Sequence, residues 1–395
     1  MTRQTFYLKL ARMQGLEVLK LGSLSGGWKT LDMEQTVLDG IGSLKNLQEL
    51  SLNYDCTDKI LKLLVENCPK LVSLDISNSK FVNNQSVEIL VDLKYLKVVH
   101  LYRTAVSMEG YINMLLHLPD LLDVGRYDEL GRVLEYIDDY HPTWSHFQLA
   151  QFISLQATTK QIHVLAQKCP NVQSISLFHN VLLLDLMALI GLNQLKRLKL
   201  LSCDFFADQI RDVLEVKGCN ITYLNLEHVD ELDMNALIYI SQFCPDLKTL
   251  ILCNCNLIES TSLYYRKHQI PPYMNLENLT LVGHCRFQHI EFILCNAFKI
   301  KFVHFGTQIE TNDALFEKIF LRNQLCCLED MRILHSDYLS IKTVYSFINN
   351  CENLIRLNEI ECWQMVLPYE FEELKNYIRD RNLDLDITSY RKFMN

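Results

Sequence analysis

The stretch Cys68–Ser77, which reads CPKLVSLDIS, decides the fold of this chain, because two later stretches repeat its pattern. They are Cys169–Phe178 (CPNVQSISLF) and Cys244–Cys253 (CPDLKTLILC). In each copy an apolar residue is followed three and five positions later by two more. The residues between them alternate outward, with the period of two that indicates a short β-strand. A strand that returns at a regular interval predicts a stack of similar units, since one unit cannot bury its apolar side alone.

The pattern occurs fourteen times in the 395 residues, in steps of 23 to 31 residues. The first apolar residues of the units are Leu16, Leu47, Leu71, Leu96, Leu121, Trp144, Val172, Leu195, Ile221, Leu247, Leu276, Ile300, Leu328 and Leu354. The chain has only 13 Gly and 8 Pro, and no stretch has the composition of a linker. We therefore expect a single solenoid of about 14 units over residues 1–395, with a closing helix and strand in 367–395.

Each predicted strand is followed by turn residues and then by apolar side chains three and four positions apart, the spacing of an amphipathic helix. One such helix is predicted at Asn84–Leu93. Another follows Asp58, which we expect to cap it, and ends before Pro69. Further helices are predicted at Thr159–Lys168, Asp208–Val216, Asp233–Phe243, Phe287–Ala297, Asp313–Asn323, Ser340–Asn350 and Tyr369–Arg381.

Each connection returns the chain to a parallel neighbouring strand, so strands are expected on one side of the stack and helices on the other. Strands stack about 5 Å apart and helices about 10 Å apart, so the stack must bend. The predicted fold class is α/β, a right-handed solenoid shaped as a horseshoe. Its parallel sheet is expected on the concave side and its helices on the convex side.

Three units depart from the pattern, and we expect them to loosen or re-aim the arc. In the Leu121 unit Arg126 stands where the third apolar residue belongs. In the Leu354 unit Glu359 stands there. The Trp144 unit is recognisable mainly by its spacing.

The net charge of −9 and the lack of clustered Lys and Arg argue against binding to nucleic acid. Acidic residues concentrate in Asp120–Asp139, which we interpret as a solvated outer face, with docking of a basic partner as the alternative. The 14 cysteines are too sparse for a disulfide scaffold and are expected to be reduced thiols that pack in the core. No apolar run suits a signal peptide or a membrane span, so a cytoplasmic or nuclear protein without a membrane partner is expected.

The sequence gives no reason to expect a catalytic residue, a cofactor or a metal. It contains neither a nucleophile elbow nor a Gly-rich phosphate loop, and no C-x-x-C pair. The densest group of potential metal ligands is His284, Cys285, His289 and Cys295. His284 and His289 are five residues apart and would diverge on a helix, so packing is the favoured interpretation.

The surface expected to bind a protein partner is the concave one, where residues two, four and six positions beyond each first apolar residue face solvent. Asn225 and Gly306 belong to this set. Solvent-facing aromatics with Arg nearby have the composition of interaction hot spots, although Tyr and Phe also serve simply to cover a neighbouring strand. The predicted protein-binding residues are His100, Tyr102, Phe178, Arg197, Lys199, Tyr223, Glu227, Ile251, Phe302 and His304.

The units match L-x-x-L-x-L-x-x-N/C, the pattern of leucine-rich repeats, over nearly the whole chain. Cys-Pro before the first apolar residue, with Cys203 and Cys255 three positions after the third, resembles the cysteine-containing subclass. Among intracellular proteins with such repeats, the chain resembles the F-box and leucine-rich-repeat family, which are substrate receptors of Skp-cullin-F-box ubiquitin ligases. The resemblance implies a non-catalytic module that recognises a protein substrate and joins cullin-ligase subunits. The alternative is a leucine-rich-repeat regulator or inhibitor of an intracellular enzyme, a GTPase or a cytoskeletal protein.

In that family a separate N-terminal F-box helix bundle binds the ligase. Here a helix is predicted at Thr2–Met13 and the first strand begins at Leu16, which leaves no room for an F-box. Leu367–Glu370 superficially resembles the start of one, but we expect it to open the last helix. The F-box itself is therefore not expected in this sequence.

Overall fold

The computed structural model of the protein describes residues 9–21, 30–143, 146–178, 185–202, 207–229, 232–255, 257 and 271–389. The strands in these ranges are β1 (Val18–Leu21), β2 (Glu49–Leu52), β3 (Ser73–Asp75), β4 (Val98–His100), β5 (Gln151–Leu155), β6 (Ser174–Phe178), β7 (Arg197–Leu201), β8 (Tyr223–Glu227), β9 (Thr249–Cys253), β10 (Asn278–Val282), β11 (Phe302–Phe305), β12 (Asp330–Ile333) and β13 (Arg356–Asn358). The helices are α1 (Thr30–Ile41), α2 (Asp58–Asn67), α3 (Asn84–Leu90), α4 (Met108–His117), α5 (Leu130–Tyr140), α6 (Thr159–Lys168), α7 (Ala207–Lys217), α8 (Met234–Phe243), α9 (Phe287–Asn296), α10 (Asp313–Arg322), α11 (Ile341–Asn350) and α12 (Pro368–Asp380). Strands and helices alternate along most of the chain, as the repeat pattern predicts.

The chain forms two compact units. Unit 1 comprises Met1–Leu177 and Leu183–Gln194, and unit 2 comprises Phe178–Leu182 and Leu195–Asn395. In unit 1 strands β1 to β4 pair in sequence order, and in unit 2 strands β7 to β13 do the same. Every pair with a described register is parallel. Within each of these two sets, strands that follow each other in sequence are therefore neighbours in space, with a helix or a loop as the connection.

The apolar residues of the pattern form the core beneath each sheet. Leu224, Leu250 and Leu279 lie side by side on β8, β9 and β10, and each is at most 1% exposed. Full burial of such a side chain is worth about 1.5–3 kcal/mol. Helices supply the other side of the core, and in α2 the buried residues are Ile60, Leu61 and Leu64. The predicted fold class is confirmed, because each unit is an α/β solenoid of leucine-rich repeats.

The chain leaves most strands through a residue in the left-handed conformation. This residue lies seven positions after the first apolar residue of its unit, at Tyr54, Asn78, Arg103, Gln156, Ser202, His228, Asn254 and Gly283, where Gln156 is counted from Leu149. Left-handed backbone is disfavoured for residues with a Cβ and is tolerated best by Gly and Asn. At Gly283 a Cβ would lie 2.9 Å from Asn254 Cα, so glycine is required there. The repeat thus retains one backbone geometry at this corner while the side chain varies.

Most predicted helices are confirmed to within one or two residues. Thr159–Lys168 coincides with α6, whereas the helix predicted at Asn84–Leu93 ends three residues earlier. The prediction that Asp58 caps α2 was wrong. Thr57 is the N-cap residue and makes no side-chain capping bond, while Asp58 Oδ1 accepts a hydrogen bond from the Ser86 hydroxyl of α3. The Asp58 carboxylate therefore joins neighbouring repeats instead of closing its own helix.

The unit predicted to begin at Trp144 begins at Leu149 instead. Trp144 lies outside the described residues, and the strand of this repeat is β5. Backbone N–H groups of Gln173 and Ser174 donate to Ala150 O, which is the pairing that other units make one residue after their first apolar residue. Leu149 and Phe152 are fully buried, and Ser154 occupies the third apolar position at 1% exposure. The pattern requires three apolar residues, so it did not recognise a unit whose third position is the serine Ser154.

The acidic segment Asp120–Asp139 overlaps α5 (Leu130–Tyr140), which the sequence analysis did not identify. The apolar residues of this helix, Leu130, Val133, Leu134 and Ile137, are buried. Its acidic residues face α6, where Asp138 pairs with Lys168 at 3.0 Å and Glu135 pairs with Lys160 at 2.8 Å. The carboxylates of Glu135, Asp138 and Asp139 are thus paired with the two lysines of the next helix.

The described cysteines carry free thiols and are mostly buried. Cys68 Sγ lies 3.5 Å from Leu44 O and Cys255 Sγ lies 3.2 Å from Leu226 O, so each thiol bonds to the preceding repeat. Burial raises the pKa of Cys68 to about 11, which keeps this thiol protonated near neutral pH. Cys203 lies outside the described residues. Packing thiols, as predicted, account for these positions.

Helix α12 and the segment after it end the described chain. The helix begins at Pro368, one residue before the predicted start, and its 13 residues make it the longest described helix. The predicted closing strand is reduced to a single bridge between Arg356 and Asp386. Across the described ranges, no helix combines the length and the apolar character that crossing a bilayer requires.

Candidate protein-binding surfaces

The strand face of unit 2 consists of the side chains on β7 to β13 that project away from the apolar core. Parallel pairing aligns the residues four positions after each first apolar residue. We call this line the central row, which consists of Lys199, Asn225, Ile251, Thr280, His304, Arg332 and Asn358. The predicted binding residues Lys199, Ile251 and His304 are therefore part of one continuous surface.

Five predicted binding residues of unit 2 form two sets of contacts, and we call them together the aromatic cluster: Arg197 with Tyr223, and Lys199 with Glu227 and with Phe178 at the end of β6. The guanidinium carbon of Arg197 lies 4.0 Å from the centroid of the Tyr223 ring. Lys199 Nζ lies 3.2 Å from Glu227 Oε2 and 5.8 Å from the centroid of the Phe178 ring. Cation–π contacts at exposed sites are worth about 0.5–1 kcal/mol each. These contacts hold two aromatic rings in place while leaving them partly accessible.

Phe302 and His304 line a pocket of about 260 Å³ on the same face, which we call the strand-face pocket. The other polar residues that line it are Asn278, Thr280, Asp330, Arg332 and Asn358. Two ion pairs use its charged groups. Arg356 Nε lies 2.6 Å from Asp330 Oδ2, and Arg332 Nη2 lies 2.9 Å from Glu359 Oε1. The positive and negative charges around the pocket are thus balanced by the protein itself.

Glu359 supports this pocket from within the core. It stands at the third apolar position of the Leu354 unit, is 0% exposed and adopts a left-handed backbone with φ of 69°. Besides Arg332, the Ser389 hydroxyl donates a hydrogen bond to its carboxylate. A buried carboxylate is costly unless it is paired, so the departure from the repeat pattern is compensated by these two partners.

Two residues predicted to face solvent are buried. Asn225 is 6% exposed, and its Oδ1 has no hydrogen-bond partner among the described residues. Gly306 is buried because its Cα lies against Val282, whose side chain a Cβ at this position would meet at 2.8 Å. The alternation of residues along a strand predicted correctly which side of the sheet these residues lie on. It could not predict that neighbouring side chains bury them.

His304 carries a polar atom without a partner. Its Nε2 is buried and forms no hydrogen bond with any of the described residues. Burial lowers the pKa of His304 below the ordinary 6.5, and the positive charge of Arg332 lowers this pKa further. The imidazole is therefore neutral near pH 7 and can act as a hydrogen-bond donor at one nitrogen and an acceptor at the other.

The predicted residues His100 and Tyr102 lie on the strand face of unit 1. His100 Nε2 lies 3.1 Å from Asp123 Oδ2, and this hydrogen bond raises the pKa of His100 above 6.5 despite the opposing effect of burial. The guanidinium carbons of Arg103 and Arg126 lie 5.2 Å and 5.1 Å from the centroid of the Tyr102 ring. Unit 1 thus presents an aromatic ring with cations, beside a histidine that favours the protonated form.

The sequence analysis missed several residues of these surfaces. Asn278, Asp330, Arg332 and Asn358 obey the same spacing rule as the predicted residues, in the units that begin at Leu276, Leu328 and Leu354. Extending the rule to every unit would have found them. The same extension finds Asp123, two positions after Leu121, but not Arg126, which stands at the third apolar position of that unit.

In the group of His284, Cys285, His289 and Cys295, His284 is exposed and the other three pack in the repeat corner and in α9. Cys285, His289 and Cys295 are at most 7% exposed. A search of the described residues for three or more His, Cys, Asp or Glu side chains in a metal-binding arrangement gives none. Helix geometry explains why residues that are close in sequence diverge here.

Comparison with known proteins gives a partial similarity. A scan of known protein families gives no match to this chain. Over 69 residues, or 18% of the chain, it is 33% identical to the SCF E3 ubiquitin ligase complex F-box protein pof2 of Schizosaccharomyces pombe. The matching segment spans 15% of the length of that relative.

Solved structures with similar architecture include a leucine-rich-repeat protein of Leptospira interrogans. It aligns over 98% of each chain, with 14% identity and a TM-score of 0.43. A chain of the yeast Rad7 and Elc1 complex aligns over 85% of this chain and 88% of its own length, with 14% identity and a TM-score of 0.49. The repeats seen in both units, taken with the local similarity to an F-box protein, make this chain a leucine-rich-repeat protein that resembles the F-box and leucine-rich-repeat family.

Proposed function

We propose that this protein is a non-catalytic recognition module that binds a protein substrate for a Skp-cullin-F-box-type ubiquitin ligase, in the cytoplasm or the nucleus. The aromatic cluster on the strand face of unit 2 is the observation that carries the proposal. It combines Tyr, Phe and Arg, and Tyr and Arg are enriched among residues that dominate protein–protein binding energies. Cluster and strand-face pocket together offer a surface of several strands to a partner.

The side chains of the aromatic cluster are held in place by contacts with each other. This favours a role in binding a partner over a role in only covering the neighbouring strands. Arg197 is exposed, yet its guanidinium stacks on Tyr223, and Lys199 is held between Glu227 and Phe178. Side chains that are already ordered lose less conformational entropy when a partner binds. The cluster is therefore pre-arranged for contact with another macromolecule.

The link to a ubiquitin ligase rests on the segment that is 33% identical to an F-box protein of an SCF ligase. The F-box is not predicted in this sequence, so association with ligase subunits is the finer part of the proposal. It implies that the repeats hold the substrate while a cullin-ligase subunit joins the complex.

The test is proximity labelling in cells, followed by mass spectrometry, with the full chain as bait. We expect labelled Skp and cullin subunits together with a substrate protein. The variant Phe178→Ala, Tyr223→Ala and Phe302→Ala should lower substrate capture by at least about tenfold, because hot-spot residues each contribute about 2 kcal/mol or more. Capture of an enzyme, a GTPase or actin in place of ligase subunits would contradict the ligase role.

A matched control replaces three aromatics that lie outside the strands, Tyr95, Tyr140 and Phe298, by Ala. They are 69%, 68% and 52% exposed, so their loss should leave capture unchanged. Thermal unfolding of both triple variants should resemble that of the wild type. Equal loss of folding and of capture in the first variant would show that its three residues are structural.

A further inference from the structure

The strand-face pocket has the size of a site for one side chain. Its volume is about 260 Å³. Pockets that hold drug-sized ligands are larger, with volumes of about 300–1,000 Å³. Phe302, which is 36% exposed, forms an apolar wall of the pocket. The polar residues that line it are Asn278, Thr280, His304, Asp330, Arg332 and Asn358. Such a mixture suits a side chain that has a short apolar stem and a polar end.

The pocket has no charge to offer a ligand. Arg332 is paired with Glu359 and Asp330 is paired with Arg356, at 2.9 Å and 2.6 Å. A charged side chain that entered would lose hydration without finding an unpaired charge of opposite sign. The charge balance therefore favours an uncharged side chain.

Hydrogen-bond acceptors are available in the pocket. Asn358 is 1% exposed and uses its Nδ2 to donate to Thr388 O at 2.8 Å, while its Oδ1 accepts no hydrogen bond from the described residues. Asn278 likewise donates through Nδ2 to Thr249 Oγ1 and has no described donor to its Oδ1. His304 Nε2 is also without a partner within the described ranges. Asn358 lies on β13, three strands away from Asn278 on β10, so one amide group cannot reach both oxygens. A ligand with an N–H₂ group and an oxygen would satisfy Asn278 Oδ1 and the neutral imidazole of His304, which lies on the neighbouring strand β11.

We propose that the strand-face pocket receives a carboxamide side chain, Gln or Asn, from a partner polypeptide that lies on the strand face of unit 2. The amide N–H₂ donates to Asn278 Oδ1, the amide oxygen accepts from His304 on the neighbouring strand β11, and the apolar stem packs on Phe302, which pairs with Asn278. This inference rests on the proposed function, because the partner it describes is the protein substrate. It adds the class of side chain that the substrate must present.

The experiment selects a phage-displayed library of random 12-residue peptides against the full chain. Gln or Asn should be enriched at one position, and the affinity of a selected peptide is then measured by fluorescence anisotropy. Changing that residue to Glu or to Lys should weaken binding to the wild-type chain by at least about tenfold, since an unpaired charge in a desolvated site costs more than about 1.4 kcal/mol.

Two variants of the protein turn the preference in opposite directions. Asp330→Asn removes a negative charge from the pocket while Arg332 and Arg356 stay positive, so the Glu peptide should bind better than the Gln peptide. Arg356→Gln leaves Asp330 without its cation, so the Lys peptide should gain instead. Asp384→Asn, which changes an exposed carboxylate that does not line the pocket, is the matched control and should keep the Gln preference. Circular dichroism melting checks that each variant folds.

Three results would overturn the inference: no enriched peptide, a wild-type preference for a charged residue, or unchanged preferences in both pocket variants. The inference and the proposed function fail separately. Loss of substrate capture in the aromatic triple variant, together with unchanged peptide preferences in both Asp330→Asn and Arg356→Gln, would reject the carboxamide site and leave protein recognition standing. Absence of ligase subunits in the labelling experiment would reject the ligase role without affecting the peptide result.

Discussion

His100 and His304 occupy the same position of their repeats, four residues after the first apolar residue, but their surroundings are opposite. His100 Nε2 lies 3.1 Å from a carboxylate oxygen of Asp123, whereas His304 Nε2 is buried without a partner among the described residues. The pKa of His100 is raised and the pKa of His304 is lowered. One repeat position thus holds a histidine that favours its charged form and another that favours its neutral form.

The first prediction concerns the pH dependence of stability. A raised pKa stabilises the fold below about pH 6.5, and this contribution is lost as the pH rises through the raised value. Replacing His100 by Asn should therefore lower the free energy of unfolding more at about pH 5.5 than at about pH 8.5. A lowered pKa acts in the opposite sense, so the wild-type His304 destabilises the fold as the pH falls below about 6.5.

Urea unfolding of His100→Asn, His304→Asn and the wild type at both pH values is the measurement. On lowering the pH, His304→Asn should become more stable relative to the wild type, and His100→Asn less stable. Equal pH slopes for the two variants would show that the environments of these histidines do not differ as the geometry requires.

The partner of His100, Asp123, has its pKa lowered from the ordinary 3.8. Burial favours the neutral form of this carboxyl, but hydrogen bonds from His100 and from Gly125 N–H outweigh the effect of burial.

The second prediction concerns the buried carboxylate of Glu359. Glu359→Ala removes the partner of Arg332 and of the Ser389 hydroxyl, and should lower the free energy of unfolding by on the order of 3 kcal/mol. Chemical denaturation measures this change. Glu352→Ala, at an exposed position, is the control and should stay within about 0.5 kcal/mol of the wild type. Similar values for the two variants would mean that the ion pair adds nothing to stability.

The third prediction compares adjacent residues of β9. Leu250 is 0% exposed and points into the core, whereas Ile251 belongs to the central row. Leu250→Ala should cost about 3 kcal/mol through lost burial and the cavity left behind. Ile251→Ala should cost less than about 1 kcal/mol because only part of its surface is buried. If thermal unfolding ranks the two variants the other way, the strand faces have been assigned in reverse.

The fourth prediction concerns the left-handed corner of the repeat. Gln156 has φ of 51° and an exposed side chain. A residue with a Cβ loses about 1–2 kcal/mol in this conformation, while glycine loses about 0.5–1 kcal/mol of extra backbone entropy on folding. Gln156→Gly should therefore raise the free energy of unfolding by about 0.5 kcal/mol. Gln151→Gly, at an exposed position of β5, should lower it by about the same amount, and a loss in both variants would argue against strain at the corner.

The sequence predicted the fold well where the apolar triplet is regular. Helix Thr159–Lys168 and the inward position of Leu250 follow from periodicity alone, because burial selects residue type at fixed spacing. The prediction that a unit begins at Trp144 was wrong. That unit begins at Leu149, and its third apolar position is occupied by Ser154. That all units form one continuous solenoid over 1–395 remains a proposal.

The candidate site was predicted only in outline. The spacing rule selected His304 and Phe302, but it gives no information about which charges are paired or which atoms lack a hydrogen bond. The pairing of Arg332 with Glu359 required a charged residue at an apolar position, which the pattern treats as a defect. Contacts between residues 27 positions apart depend on the register of neighbouring strands and are seen only in three dimensions.

The internal ion pairs of the strand-face pocket have a consequence for how a partner responds to ionic strength. Salt weakens attraction between unpaired charges on separate molecules, over a screening length of about 8–10 Å. Because Asp330 and Arg332 already have their counterions within the chain, little of the attraction at this pocket depends on long-range electrostatics. A partner that docks there should arrive no faster in dilute buffer than in concentrated salt, and its residence time will be set by shape and hydrogen bonds.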